Sequence, residues 1–243
     1  GTHQALHLVA HPLADAGDPV WLEDPGYWGA MSVFRSAGLA LVPVGLDAEG
    51  LAPSPAQRQS PPRLMFLSPS HQYPTGVLMS HSRRRQLLDY AAVQRVWVVE
   101  DDYDSEFRFN TQPLPALQGI DEAGRVLYLG TFSKTLFPSL RLGYLVLPTD
   151  LVDSFRRALA ELYREGQTVQ QNTLARFILQ GHYARHIRRM RNVYATRRGL
   201  LMEAIAARFG GRLQALGGDA SLHLVLELPA PCDDQALARR VLQ

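Results

Sequence analysis

The sequence predicts an α/β protein with a mainly parallel β-sheet covered by helices on both faces, followed by the start of a smaller α+β domain. Short, strongly apolar runs alternate with helical stretches over residues 20–147, and apolar strands between helices are typical of a parallel sheet that is buried on both faces. After Pro148 the pattern becomes helical, and a strand-like run returns only near residue 221. We therefore expect a large domain at residues 1–185, and a long linking helix with an incomplete small domain at residues 186–243.

Six apolar runs form the predicted large sheet. Leucine, β-branched and aromatic side chains dominate them, and glycine, proline or charged residues flank them. In chain order they are residues 20–22, 39–44, 63–67, 96–99, 126–129 and 144–147. A further run, residues 221–228, is the predicted first strand of the small domain.

Helical stretches separate these strands. Ser80 is placed to cap a helix that begins at residue 81, and Gly38 is placed to end a helix that begins at residue 28. Residues 52–62 are rich in proline and serine, which predicts a surface loop. The predicted helices cover residues 4–13, 28–37, 81–95 and 151–164 and one long stretch, 168–209, and another begins at 232–235.

The composition excludes several classes of protein. Of the 243 residues 46% are hydrophobic and the net charge is +2, which is typical of a globular chain with a large core. The single cysteine, Cys232, cannot form an internal disulfide and suits a reducing compartment. Without a long apolar run or a secretory leader pattern, we expect a cytoplasmic protein and no membrane contact.

The chain contains one lysine, Lys134, among its 25 basic side chains. Arginine replaces lysine in salt bridges, but its guanidinium stays protonated, whereas a buried lysine amine can lose its proton and attack a carbonyl. Lys134 is therefore the candidate for covalent chemistry. The alternative is a lysine that lies on the surface or pairs with a phosphate.

Lys134 follows the predicted strand at residues 126–129, after the hydroxylated residues Thr131 and Ser133. In open α/β sheets, ligands bind at the carboxyl ends of the strands. Arg141 comes seven residues later in an otherwise apolar stretch. Its guanidinium and the two hydroxyls form a candidate phosphate clamp.

A dense acidic run, Glu100-Asp-Asp-Tyr-Asp104, follows the apolar residues 96–99. A magnesium site is one interpretation, but the sequence has neither the phosphate-loop glycines that usually accompany such a site nor a Cys/His ligand spacing. A solvated acidic turn is the second interpretation. In the third, Asp101 holds a heterocyclic nitrogen protonated and Tyr103 reaches the neighbouring oxygen.

Five motifs occur in one order, separated by strand and helix units. They are Glu23-Asp-Pro-Gly-Tyr27, Ser68-Pro-Ser-His-Gln-Tyr-Pro-Thr-Gly76, Glu100-Asp-Asp-Tyr-Asp-Ser-Glu-Phe107, Thr131-Phe-Ser-Lys134 and Leu140-Arg-Leu-Gly-Tyr144. Together they resemble the pyridoxal 5′-phosphate (PLP) enzymes of aminotransferase fold, fold type I. More narrowly, the chain resembles the effector domain of MocR-type regulators in the GntR group. The resemblance covers nearly the whole chain and implies the large domain of a fold type I PLP-dependent transferase.

The resemblance implies a role for each residue around the cofactor ring. Lys134 would form the internal aldimine with the C4′ aldehyde of PLP, and Asp101 would pair with the pyridine nitrogen. A protonated ring is a better electron sink, and a carboxylate beside it stabilises that proton. Tyr103 would hydrogen-bond to the phenolate oxygen, and Tyr27 would stack on the ring face.

The resemblance also implies a phosphate site between two groups of residues. Helix N-termini present free N–H groups and a partial positive charge to anions, so the start of the predicted helix 4–13 would form one side. The implied phosphate residues are Thr131, Ser133 and Arg141 on one side and Gly1, Thr2 and His3 on the other. In the family the run that matches Gly1 lies well inside the fold, so we expect further chain on the N-terminal side.

Tyr73 departs from the catalytic branch of the family. It precedes Pro-Thr-Gly, where catalytic aminotransferases usually carry an asparagine that contacts the cofactor oxygen, and an aromatic residue there is typical of the regulators. A phenol can still donate a hydrogen bond. We expect Tyr73 and the nearby His71 to contact the cofactor, with His71 facing the ring or the substrate.

Two functions remain open. In the first, which the motifs favour, the chain is the ligand-sensing half of a PLP-dependent transcription regulator. Cofactor occupancy or an amine or amino-acid effector would shift a homodimer between DNA-binding states, with DNA bound through a domain outside this chain. In the second, it is a class I aminotransferase that transfers an amino group between an amino acid and a 2-oxo acid. Eight arginines between residues 182 and 212 could also touch nucleic acid, but a solvated or dimer-facing helix is the commoner explanation.

Overall fold

The main sheet has seven strands. The computed structural model describes residues 1–109, 114–164, 166–216, 222–229 and 231–241. Within these residues the strands are β1 (Pro19–Asp24), β2 (Ala40–Asp47), β3 (Gly50–Leu51), β4 (Leu64–Leu67), β5 (Trp97–Asp102), β6 (Val126–Thr131) and β7 (Gly143–Val146). Their order is β3-β2-β1-β4-β5-β6-β7. The five central strands are parallel and the two edge strands are antiparallel, so the mainly parallel sheet is confirmed.

Helices connect the strands and continue beyond them. They are α1 (Thr2–Leu13), α2 (Trp28–Ser36), α3 (Pro55–Gln59), α4 (His81–Gln94), α5 (Leu117–Ile120), α6 (Val152–Tyr163), α7 (Thr168–Leu179), α8 (His182–Phe209) and α9 (Asp234–Val241). A small antiparallel pair, β8 (Gln214–Leu216) and β9 (Val225–Glu227), follows α8. No helix within the described ranges combines the length and the apolarity needed to cross a membrane.

The two faces of the sheet bury separate apolar clusters. Side chains alternate between the faces of a strand, and in β4 Leu64 and Phe66 join the cluster beneath α1, α2 and α6, whereas Met65 and Leu67 join the cluster beneath α4 and α5. All four side chains are buried. The uninterrupted apolar runs of the sequence are therefore explained by strands that helices cover on both faces of the sheet.

Local signals account for the helix ends. The Ser80 hydroxyl accepts a hydrogen bond from the backbone N–H of Arg83 at 3.1 Å, as an N-cap does. The predicted helix 168–209 is two helices, because Gly181 adopts a left-handed φ of +75° between α7 and α8. The proposed domain boundary after residue 185 falls inside α8, the long helix that leads to β8 and β9.

Three other predictions are wrong in part. The predicted loop 52–62 contains α3, because Ser54 and Gln57 form a capping box. The predicted strand 96–99 continues as β5 to Asp102, which places part of the acidic run inside the sheet. Of the predicted strand 221–228, β9 covers only Val225–Glu227, and Ser221 lies outside the described residues.

Candidate functional site

A cavity of about 450 Å³ lies at the carboxyl ends of the central strands. It is bordered by segments that follow β1, β4, β5 and β6, by the first turn of α1 and by residues 222–223. The sheet order reverses direction between β1 and β4, and such a switch point opens a crevice between the loops that leave the two strands. The topology therefore explains why the segments that follow four central strands meet here.

The cavity is lined by residues predicted to surround a cofactor ring. They are Tyr27, Tyr73, Asp101, Tyr103 and Lys134. Lys134 lies in the turn after β6 and is exposed. Its side chain therefore borders the cavity from an exposed position.

The same cavity is lined by residues predicted to hold a phosphate. They are Thr2 and His3 in the first turn of α1, together with Thr131, Ser133 and Arg141. The backbone N–H of Ser133 donates to the Thr131 hydroxyl at 3.2 Å, which folds the turn after β6 tightly. A helix N-terminus, two hydroxyls and a guanidinium are a set of groups that suits a phosphate.

Gly1 and His71 are the two predicted residues that do not line this cavity. The terminal amine of Gly1 donates to the backbone oxygen of Arg141 at 2.7 Å, and Gly1 borders a neighbouring cavity of about 500 Å³. Arg141 has a left-handed φ of +54°, a strained conformation for a residue with a side chain. Arg141 borders both cavities.

Asp101 carries a polar atom without a partner. It is buried in β5, and within the described residues its Oδ1 atom has no hydrogen-bond partner. Burial, with smaller contributions from Asp102, Glu23 and Asp104, raises the pKa of Asp101 to about 8, and Lys134 opposes the shift. Asp101 also lines the cavity, and a buried carboxyl oxygen without a donor fits a ligand that supplies a protonated ring nitrogen.

The burial of the acidic run excludes one interpretation of it. Glu100, Asp101 and Asp104 are buried, so the run is not a solvated acidic turn. Glu100 accepts the backbone N–H groups of Leu117 and Gln118, at 2.9 and 3.0 Å, and so satisfies the start of α5. The carboxylates of the run therefore differ in their partners: Glu100 binds the backbone of α5, whereas Asp101 Oδ1 has no partner within the described residues.

His71 lies behind Tyr103. The Tyr103 hydroxyl is 2.8 Å from His71 Nδ1 and donates to the His71 backbone oxygen at 3.0 Å. Burial, followed by His223 and two arginines, lowers the pKa of His71 to about 3. His71 therefore contacts the cavity through Tyr103 rather than directly.

Glu23 and Gln72 tie together the loops that carry two of the cavity tyrosines. Glu23 Oε2 accepts from the backbone N–H of Ser68 at 3.2 Å and from Gln72 Nε2 at 3.3 Å. These contacts join the segment of Tyr27 to the segment of Tyr73. Burial raises the pKa of Glu23 to about 7, and the two hydrogen bonds oppose that shift.

The side chain of Arg84 holds the loop at residues 68–79 in place through hydrogen bonds. Its guanidinium is buried and donates to three backbone oxygens, those of Met79 at 3.1 Å, Pro115 at 2.9 Å and Pro69 at 2.8 Å. One side chain thus fixes both ends of the loop and the segment before α5.

We expect Arg84→Met to lower the free energy of unfolding by about 3 kcal/mol, because it removes three hydrogen bonds that a buried guanidinium donates to backbone oxygens. The matched control is Arg85→Met. Arg85 is half exposed and lies 3.7 Å from the exposed Glu122, so its loss is expected to change stability by less than about 0.5 kcal/mol. Urea unfolding measures both, and equal losses in the two variants would contradict the role of Arg84.

Five other residues line the cavity without having been predicted from the sequence. They are Trp28, Asp104, Pro138, Leu222 and His223. Trp28 directly follows the predicted Tyr27, and Asp104 belongs to the acidic run. His223 gives a weaker signal, because a lone imidazole between two leucines is more often a core residue than a site residue.

Comparison with known proteins identifies relatives of two kinds. The chain matches the family model of aminotransferase class I and II over residues 1–243. It is 42% identical over 239 residues to the probable rhizopine catabolism regulatory protein MocR of Rhizobium meliloti, with 98% of this chain and 48% of the relative covered. It is 35% identical over 241 residues to the HTH-type transcriptional regulator TauR of Rhodobacter capsulatus, with 99% and 49% covered.

The fold is also similar to that of solved enzymes. LysN, the α-aminoadipate aminotransferase of Thermus thermophilus, was solved in complex with N-(5′-phosphopyridoxyl)-L-leucine. It superposes with a TM-score of 0.86 at 29% identity, over 100% of this chain and 64% of that chain. The chain spans about half the length of the curated relatives it matches.

Proposed function

Since the chain belongs to the class I and II aminotransferase family, we propose that it binds PLP as the ligand-sensing domain of a transcription regulator. The observation that carries the cofactor assignment is that Asp101 borders the same cavity as Lys134 and that its Oδ1 atom has no hydrogen-bond partner among the described residues. PLP supplies, when bound, an aldehyde that captures primary amines and a ring that withdraws electrons from them. The complex of LysN with a phosphopyridoxyl compound supports the same assignment.

Five residues that line the cavity would hold the heterocycle. Asp101 would accept a hydrogen bond from the protonated ring nitrogen, and this charge would replace the proton that burial otherwise favours on the carboxyl group. Tyr27 would cover one face of the ring, with Tyr73 and Tyr103 at its oxygen side. Lys134, whose side chain carries the chain's one lysine amine, would hold the aldehyde covalently.

Five other residues that line the cavity would hold the phosphate. Thr2 and His3 belong to the N-terminus of α1, and Thr131, Ser133 and Arg141 would add two hydroxyls and a guanidinium. Gly1 lies one residue outside the cavity and would contribute through the backbone that it fixes at Arg141. The dipole of α1 and the fixed positive charge would both favour a dianion here.

A regulatory role is supported by the curated relatives. Two transcription or catabolism regulators match almost the whole chain at 35–42% identity, and an aromatic residue, Tyr73, stands where the catalytic branch usually carries asparagine. The proposal includes a cytoplasmic homodimer, an amine or amino-acid effector, and DNA bound by a domain outside this chain. It also includes a large PLP domain at residues 1–185, with α8 leading to the small domain at residues 186–243.

Titration with PLP tests the cofactor assignment. We expect the 243-residue chain to develop a visible absorption band that saturates at one PLP per chain, and borohydride to fix the cofactor on the protein. Mass mapping should place the reduced adduct on Lys134. A protein that develops no band and retains no cofactor after reduction would contradict the assignment.

Aminotransferase activity is the second candidate function, because LysN shares the fold over the whole chain. The PLP-loaded protein should separate the two functions when it is mixed with an amino acid and a 2-oxo acid. For a regulator we expect amines to change the visible spectrum without catalytic production of a new 2-oxo acid. Sustained turnover that depends on Lys134 would favour the enzyme.

A further inference from the structure

Two histidines and an aspartate converge beside the proposed cofactor site. His71 follows β4, Asp104 follows β5 and His223 precedes β9, so the three come from distant parts of the chain. One potential ligand atom of each lies within 4.8 Å of those of the other two. The rings of His71 and His223 are 4.6 Å apart between centroids, at an angle of 65°.

The contacts of His71 determine which of its nitrogens can bind a ligand. The Tyr103 hydroxyl lies 2.8 Å from His71 Nδ1 and 3.0 Å from the His71 backbone oxygen. The tautomer with a hydrogen on Nδ1 satisfies both contacts, because the hydroxyl then donates to the backbone oxygen and accepts from Nδ1. The neutral ring then has its lone pair on Nε2. A hydrogen bond from the other ring nitrogen is the usual way in which a protein orients a metal-binding histidine.

Asp104 connects the other two members of the cluster. Its Oδ2 atom accepts from the backbone N–H of Leu222 at 3.3 Å, which brings the adjoining His223 to the carboxylate. Asp104 is buried and His223 is half-buried, and both border the cavity of about 450 Å³. The cluster is thus screened from bulk water on one side and open to the cavity on the other.

We propose that His71, Asp104 and His223 form a site for one divalent transition-metal ion, for which zinc is the best match. Two imidazoles and one carboxylate are nitrogen and oxygen donors that zinc accepts, and three protein ligands leave a fourth position for water or a ligand. That position faces the cavity, because Asp104 and His223 line it. An effector with a carboxylate or amine would be able to complete the coordination sphere.

The distances and charges are compatible with binding. Zinc bonds of about 2.0–2.1 Å place tetrahedral donors about 3.4 Å apart, so the side chains need to close by roughly 1.5 Å at most, which rotation about their χ angles allows. Arg108, Arg198 and Lys134 are the cations whose fields reach the two histidines, and the carboxylates of Asp101, Asp102 and Glu106 lie around the same strand end. The carboxylate of Asp104, as a deprotonated zinc ligand, would offset part of the repulsion between those cations and a dication.

Zinc binding by the purified 243-residue chain tests the proposal. We expect equilibrium dialysis with ZnCl2 to give one bound zinc per chain, measured by elemental analysis, and titration calorimetry to give the affinity. Asp104→Asn and His223→Gln should each weaken binding by more than about tenfold, because each removes a ligand while keeping side-chain size. Tyr103→Phe should weaken it by about tenfold, since it frees the His71 ring to rotate.

Control variants separate this site from adventitious binding. His81→Ala removes an exposed histidine at the start of α4, and Cys232→Ser removes the exposed thiol; both should leave the affinity unchanged. Circular dichroism of each variant verifies that it is folded. The proposal would be overturned if wild type bound no stoichiometric zinc. It would also be overturned if the Asp104 and His223 variants bound zinc as tightly as wild type, and the three residues would then form only a hydrogen-bonded cluster.

The metal proposal is tested independently of the cofactor. Lys134→Ala should lose the covalent PLP adduct and still bind zinc. Binding that disappears in Lys134→Ala as completely as in Asp104→Asn would overturn the assignment of the ligands. Zinc binding in the wild-type chain without any PLP band would support the metal site while contradicting the proposed cofactor.

Discussion

Replacing Lys134 with alanine is expected to abolish the visible band and the borohydride-stable adduct completely. The chain has no second lysine, so no other side-chain amine is available to capture the aldehyde. Absorption spectra before and after addition of PLP, followed by reduction and mass mapping, measure the effect. The only other primary amine is at the terminus of Gly1, and peptide mapping distinguishes the two positions.

Lys134→Arg is the matched control for this variant. It keeps a positive charge in the turn after β6 but removes the nucleophilic amine, because a guanidinium stays protonated. We therefore expect Lys134→Arg to bind PLP without fixing it covalently. If both variants still formed a borohydride-stable adduct at another residue, the assignment of Lys134 as the attachment site would be contradicted.

Asp101→Asn is expected to weaken PLP binding by roughly thirtyfold. A charge-assisted hydrogen bond to the ring nitrogen contributes about 2 kcal/mol, and the amide cannot supply the charge. The control is Asp102→Asn. Asp102 accepts from Tyr128 and from the backbone of Ser105 and does not line the cavity, so its PLP affinity should change far less. Similar losses of PLP affinity in both variants would argue that the total negative charge of the acidic run, rather than the position of Asp101, determines binding.

Asp101→Asn is also expected to change how the stability of the cofactor-free protein depends on pH. Because burial raises the pKa of Asp101 to about 8, the folded protein holds this proton more tightly than the unfolded chain. The contribution of Asp101 to stability is then greatest below about pH 4 and is lost as the pH rises to about 8. Urea unfolding at several pH values should show the stability of wild type relative to Asp101→Asn falling over this range. A constant difference would contradict the raised pKa.

The strands could be predicted well from the sequence because their signal is local. Residues 64–67 and 126–129 are apolar on both faces, and each lies within a strand of the sheet. The ends were harder to predict. β5 continues through Glu100 and Asp101, where burial and the bonds from α5 override the low strand preference of acidic residues. No pattern of apolar residues marks such a continuation.

The candidate site could be predicted where its residues belong to short motifs. Asp101, Lys134 and Arg141 border one cavity, as the resemblance implied. His223 was missed because it comes from a segment far along the chain, and only the folded arrangement brings it to Asp104. Arg84 was missed for a different reason, since three backbone carbonyls are its partners and a sequence does not show which carbonyls lack a donor.

The antiparallel pairing of β6 and β7 has a consequence for the order in which the site is assembled. The hairpin between these strands contains both Lys134 and Arg141, so the two proposed anchors of the cofactor are neighbours along the chain. Closing a short loop costs little entropy and is fast, whereas Asp101 and His223 must be brought from far greater sequence distances. During folding, the hairpin can therefore set the spacing of Lys134 and Arg141 early. Asp101 and His223 join them when the sheet and the C-terminal strands are complete.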